Sequence, residues 1–170
     1  MQVMAETMYF RCRKEAETRN DKLNSREGAA ELLGVSESSL AHYELGITKN
    51  IPVDVVVMMA EVYGAPELKN WYCKTECPIG CDNPVATKEV SIEEATVHLL
   101  GSMQQEPLQD AARTLLRIAA DGELTPKEIE ELAPMQEALD TVQEAISELR
   151  ILVEKTQKRK GVNHGADRQA

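Results

Sequence analysis

The chain has 170 residues, 42% hydrophobic but only 4% aromatic, enough for one ordinary domain or two small ones packed on aliphatic side chains. It contains no run of 18 apolar residues and no basic leader ahead of an apolar stretch, so neither a membrane span nor secretion is expected and the chain reads as cytoplasmic. The net charge of −10 opposes simple nucleic-acid binding, which draws on phosphate neutralisation, yet residues 1–72 hold 8 Lys and Arg against 11 Asp and Glu, so most of the acid lies further on.

Seven prolines and nine glycines, many at segment edges, alternate with long stretches of helix formers, which predicts an all-α protein. A first helix is expected over about residues 5–18, burying Met8, Cys12 and Ala16 with Tyr9 adjacent, its other side basic. Arg11, Arg13, Lys14, Arg19, Lys22 and Arg26 gather around this helix and the next, as suits holding backbone phosphates.

Residues 25–46 read SREGAAELLGVSESSLAHYELG, two short amphipathic helices around a Gly-Val-Ser corner. Ala29, Leu32 and Leu33 share one face of the first, Gly34 stops it, and Val35 plugs the corner. Ser36 is placed to cap the second, which turns Leu40, Tyr43 and Ala41 inward and Glu37, Ser38, Ser39 and His42 outward. After it, Pro52 and Asp54 mark a helix start, so the β-branched run 53–62 is predicted helical, closing a core through Val55, Val56, Met59, Val62 and Tyr63.

The residues Ala29-Ala30, Leu33-Gly34-Val35-Ser36, Leu40 and Glu44-Leu45-Gly46 resemble the core of the Cro/repressor-like (XRE) helix-turn-helix regulators, over about residues 5–72. The resemblance implies a five-helix, lambda-repressor-like domain that binds double-stranded DNA and regulates transcription, with the second helix of the pair in the major groove. It implies Arg26 and Lys49 on phosphates and Ser36, Glu37, Ser38, Ser39 and His42 at or beside the bases. Two departures stand out: the segment from Ala16 to Ser25 is longer than the family's first turn, and Arg26 occupies a place often held by Gln.

Cys, Pro and Gly cluster over residues 73–90, which read as a linker. Cys73, Cys77 and Cys81 are spaced four apart, and with Cys12 they make a candidate zinc or iron-sulfur ligand set or a redox-sensitive thiol pair; ordinary structural cysteines are the alternative. Ser91 with Glu94 forms a capping box opening a helix through Leu100, and a further helix is expected over about residues 106–120. Residues 121–128 match only half of a calcium loop, lacking acids at its first two ligand positions, and read as an interhelical turn with Thr125, Pro126 and Glu128 as helix-start signals.

From Pro134 to about Lys158 a long helix carries Met135, Leu139, Val142, Ile146, Leu149 and Val153 at alternating steps of three and four, the seam expected for homodimerisation, with Ala138, Ala145 and Leu152 broadening it. Residues 91–158 thus form an acidic helical hairpin or bundle for self-association or for a partner protein, and residues 159–170 a disordered tail. No Gly-rich phosphate loop, HExxH or persuasive Ser/His/Asp arrangement occurs, so no catalytic residue and no resident cofactor is assigned. The expected protein is a dimeric regulator, a repressor of bacterial or phage type; the alternatives are a protein-interaction or inhibitor module and a thiol- or metal-responsive regulator.

Overall fold

The computed structural model describes residues 7–104, 106–119 and 125–166, and among them all regular structure is helical, with no strand. Five helices come first: α1 (Met8–Ala16), α2 (Arg26–Leu33), α3 (Glu37–Glu44), α4 (Val53–Val62) and α5 (Glu67–Thr75), with a 3-10 turn, Asp21–Asn24, between α1 and α2. Then follow α6 (Ile92–Met103), α7 (Glu106–Ile118) and the long α8 (Pro126–Ala166). The all-α class, the N-terminal helix-turn-helix region and the long last helix all agree with the sequence reading. The chain forms two compact units, Met1–Asn83 with Val153–Ala170, and Pro84–Leu152.

In the first unit, caps set the helix boundaries and small residues set the packing. Thr7 accepts from the Phe10 amide at the start of α1, and its hydroxyl donates to the Glu44 carbonyl at 2.8 Å, fastening that start to the end of α3. Ser25 accepts from the Gly28 amide at 3.0 Å to open α2. A Cβ on Gly28 would lie 2.3 Å from the Lys22 carbonyl oxygen, so only glycine lets α2 sit this close to the 3-10 turn. The core joins Tyr9, Cys12 and Ala16 of α1 to Ala29, Ala30 and Leu33 of α2, Leu40 of α3, and Val56, Met59 and Ala60 of α4. Met8, Val55 and Val62 are only half-buried against it, while Trp71 meets Tyr9 edge-on at 5.4 Å. Residues 5 and 6 of the expected first helix lie outside the described residues, and α1 ends at Ala16 rather than Thr18.

The last turns of α8 belong to this first unit, which a boundary drawn after residue 72 does not anticipate. Lys155 Nζ lies 2.6 Å from Glu67 Oε1 with both side chains buried, Lys69 pairs with Glu154 at 3.2 Å, and Lys158 pairs with Glu61 at 3.0 Å. These ion pairs hold residues beyond 153 against α4 and α5. The helix α8 itself runs past Lys158 to Ala166, over part of the expected disordered tail; residues 167–170 lie outside the described residues.

In the second unit, Ser91 accepts from the Glu94 amide at 3.1 Å, as the capping box predicts. At the start of α8 the Thr125 amide donates to Glu128 Oε2 at 3.0 Å and the Glu128 amide donates back to Thr125 Oγ1. That reciprocal cap starts the helix at Pro126, where the sequence places its start signals, and the helix continues without a break through Pro134, from which the long helix is expected. Pro134 is accommodated on an exposed face, where water can take the Glu130 carbonyl that its missing N–H leaves unpaired. The turn residues 120–124 lie outside the described residues.

The buried residues of this unit are mostly small, Ala95 and Ser102 on α6 and Ala138, Ala145 and Ser147 on α8, joined by Ile118 of α7 and Ile151 of α8. The Ala86 amide donates to Ser147 Oγ at 3.1 Å, and His98 Nδ1 stands 2.9 Å from Glu148 Oε2. Other large apolar side chains face solvent, with Val97, Leu100, Met103 and Leu116 all more than half exposed.

The Glu148 hydrogen bond raises the His98 pKa above the ordinary histidine value. The pair therefore contributes stability that is complete below the unfolded histidine pKa and fades as pH rises through the elevated folded one. An NMR titration of the His98 imidazole is expected to show this upward midpoint, and Glu148→Gln to lower it, Glu94 and Glu144 keeping a smaller upward pull. An unchanged midpoint in the variant would mean the pair does not form in solution.

Candidate nucleic-acid interface

The corner between α2 and α3 is built by backbone geometry. Gly34 adopts φ 65°, a left-handed conformation that suits glycine, and the Val35 amide donates to the Ala30 carbonyl at 3.1 Å to seal the end of α2. Ser36 then accepts from the Ser39 amide at 3.0 Å and starts α3. Leu40 is fully buried and Tyr43 packs on the core, which fixes the rotation of α3 about its axis. Glu37, Ser38 and His42 consequently stand exposed on the outer face, with Ser36 at its end and Lys49 exposed in the following loop. Ser39 departs from the expected outward placement. It is half-buried, and its hydroxyl is 2.8 Å from Ser36 Oγ, so the two serines engage each other at the helix start.

Beneath this face lies a charged cluster that periodicity alone does not assign. Glu44, with a fully buried side chain, receives Arg13 Nε at 2.5 Å on Oε1, and Arg13 Nη2 at 3.1 Å and Arg26 Nε at 2.7 Å on Oε2. Arg13 Nη1 also donates to the Leu23 carbonyl at 2.8 Å. One carboxylate thereby ties α1, α2 and the end of α3 together. Burial opposes the Arg13 charge, but the Glu44 hydrogen bonds outweigh it and the net shift is upward. The sequence does carry a signal for it: Glu44 lies four residues after Leu40 and Arg13 four after Tyr9, so each sits on an apolar face where only a partner makes a charge tolerable.

Three of the other basic residues expected near phosphates are also engaged, while Arg11 stands exposed with a hydrogen bond to the Met8 sulfur. Lys14 pairs with Glu17 at 2.5 Å, Lys22 with Glu31 at 3.2 Å, and Arg19 donates to the Tyr63 carbonyl at 2.8 Å. Arg13 is buried and cannot reach a phosphate. Arg26 remains one-third exposed at the N-terminus of α2, held in orientation by Glu44.

The thiols are dispersed in environment. Cys12 is sealed in the core, and burial pushes its thiol up to about 12. Cys73 and Cys77 are half-buried, Cys81 is exposed beside the Pro78 carbonyl and Asp82, and all four are free thiols. Among the described residues no three of His, Cys, Asp and Glu are grouped to hold a metal ion, so Cys73, Cys77 and Cys81 are not brought together as the zinc or iron-sulfur expectation requires.

The proposed dimer seam divides. Met135, Val142 and Leu149 are half-buried, whereas Leu139, Ile146 and Val153 are exposed, each seven residues from the next. Among the described residues no helix is long and apolar enough to cross a membrane.

Residues 16–69 match a family model described as a helix-turn-helix domain. The match spans the 3-10 turn, α2, α3 and α4 and enters α5, so that segment is a helix-turn-helix domain and points to DNA binding. No curated protein and no solved structure is significantly similar to the chain.

Proposed function

We propose, with the helix-turn-helix domain at residues 16–69 as premise, that this protein is a cytoplasmic, sequence-specific regulator of transcription that binds double-stranded DNA as a homodimer, acting as a repressor of bacterial or phage type. The observation that carries the proposal is the outer face of α3: a capped helix, rotationally fixed by Leu40, that offers Glu37, Ser38 and His42 to a groove. Ser38 and His42 can donate or accept at base edges, and Glu37 can accept from a cytosine amine. Arg26, Lys49 and the first amides of α2 serve the phosphates.

With so many basic side chains already paired, one module binds weakly, and affinity depends on two copies reading half-sites about 34 Å apart on a near-palindromic operator. The exposed Leu139, Ile146 and Val153, at one-heptad spacing, supply a self-complementary seam for that pairing. A bound dimer represses by occluding polymerase.

Selection from a random duplex pool at moderate salt tests this, and a two-fold repeated sequence is the expected product. Ser38→Ala with His42→Ala should then cut discrimination between operator and random duplex by about 1–3 kcal/mol for each side chain that reads a base. Equal affinity of the unmodified protein for both duplexes would remove the specificity claim.

A second reading has its own support. Residues 84–152 hold 14 Asp and Glu against 5 Lys and Arg, together with the exposed Val97, Leu100, Met103 and Leu116. An acidic surface with apolar patches suits a basic partner protein as well as a second copy. Sedimentation separates the two, since a monomer at all concentrations would favour the partner.

A further inference from the structure

The first unit contains a cleft of about 810 Å³ where the end of α1, the 3-10 turn, the end of α4 and the last turns of α8 meet. Ala16, Leu23, Val62 and Tyr63 give it an apolar wall, and Arg19, Asn20, Lys155, Lys158 and Arg159 supply cations and an amide around the single carboxylate of Glu61. A chain of net charge −10 thus encloses one concavity lined by four cations and one acid. Its volume lies within the range of small-molecule sites, about 300–1,000 Å³.

The pairing within the lining decides what the cleft attracts. Lys158, 3.0 Å from Glu61 Oε2, holds the Glu61 carboxyl below its usual range, so the one acid present is ionised and already matched. Lys155 is turned to Glu67. Arg19 differs: its Nη2 donates to the neutral Tyr63 carbonyl at 2.8 Å, and among the described residues no carboxylate pairs with it. The carbonyl orients the guanidinium without compensating its charge. Its remaining N–H donors and its uncompensated charge suit a carboxylate or phosphate.

We propose that this cleft binds a small organic anion, an apolar or aromatic body carrying a carboxylate or phosphate, with the anion on Arg19 and the body against Val62 and Tyr63. A bare inorganic ion would leave the apolar wall wet, and a neutral molecule would leave the Arg19 charge unmatched. Neither the helix-turn-helix match nor the exposed face of α3 involves this cleft's α8 residues, so the site adds a ligand to the protein beyond DNA.

The test is a titration of the ¹⁵N-labelled full chain, without DNA, with millimolar phenyl phosphate or benzoate, which makes it independent of whether the protein binds an operator. Saturable shifts are expected at the amides of Arg19, Asn20, Gly64 and Lys158. Inorganic phosphate and benzyl alcohol should each bind at least about tenfold more weakly, the first lacking the ring that fills the apolar wall and the second the charge that meets Arg19. Arg19→Gln should abolish the shifts while leaving the rest of the spectrum intact. Should that variant not fold, Val62→Trp, which fills the cleft, provides the same reading. Absence of shifts at these amides with both organic anions, equal binding of inorganic phosphate, or unaltered binding by both variants would overturn the proposal.

Discussion

Replacing Glu44 by glutamine is expected to destabilise the helix-turn-helix unit by about 3–5 kcal/mol, the scale on which breaking a buried ion pair exceeds the worth of the pair itself. The variant leaves Arg13, whose side chain is almost fully buried, facing an amide that can satisfy only part of its fork, and frees Arg26 from the carboxylate that orients it. The single tryptophan, Trp71, packs on Tyr9 of α1 and reports this unit alone. Denaturation followed by its fluorescence should show the destabilisation as a lower midpoint. The paired variant Arg13→Met with Glu44→Met should be much less destabilised than Glu44→Gln, because apolar groups of similar volume carry no desolvation cost. A glutamine variant as stable as the parent would show that the carboxylate charge is not needed there.

A second large effect is expected at a residue distant in sequence from the DNA-binding segment. Lys155→Met leaves the Glu67 carboxylate buried at the start of α5, 88 positions away in the chain, without its cation. A cost of about 3–5 kcal/mol is expected in the Trp71 transition, with Glu67→Leu together with Lys155→Met restoring most of it. An unchanged Trp71 transition in the single variant would mean that the last turns of α8 contribute nothing to this unit. The variant also discriminates between ways of disabling DNA binding. Failure of Lys155→Met to bind DNA would come with a lowered midpoint, whereas failure of the Ser38 and His42 variants would not.

Local chemistry makes the helices legible. Ser25 and Ser36 before apolar periodicity, Gly34 after it, and Thr125 with Glu128 ahead of α8 are decisions taken within a few residues, and the structure satisfies each with a hydrogen bond. The outer face of α3 is equally readable, because Leu40 fixes which side is inward. What periodicity does not assign are pairings whose partners lie far apart. The Arg13 to Glu44 pairing spans 31 residues and the Lys155 to Glu67 pairing 88, and no local pattern says which acid meets which base. The packing of the end of α8 escapes the sequence reading for the same reason. Glu154, Lys155 and Lys158 read only as polar positions of a long helix, and their partners Lys69, Glu67 and Glu61 lie about 85 to 97 positions earlier in the chain. Ser39 shows a smaller version, since a helix-face argument places the hydroxyl outward and a neighbouring serine captures it.

The Lys155 to Glu67 ion pair also sets an order of events during synthesis. Ribosomes add about 5–20 residues per second, so a nascent chain that has made Glu67 waits roughly 4–18 s for the lysine that neutralises it. Throughout that interval the residues matched as the helix-turn-helix domain are complete in sequence and incomplete in charge. The newborn module therefore reaches its full stability only after the last helix has been made, and a ribosome stalled within α7 displays a domain that is more easily unfolded, and more readily cut by proteases, than the one in the finished protein.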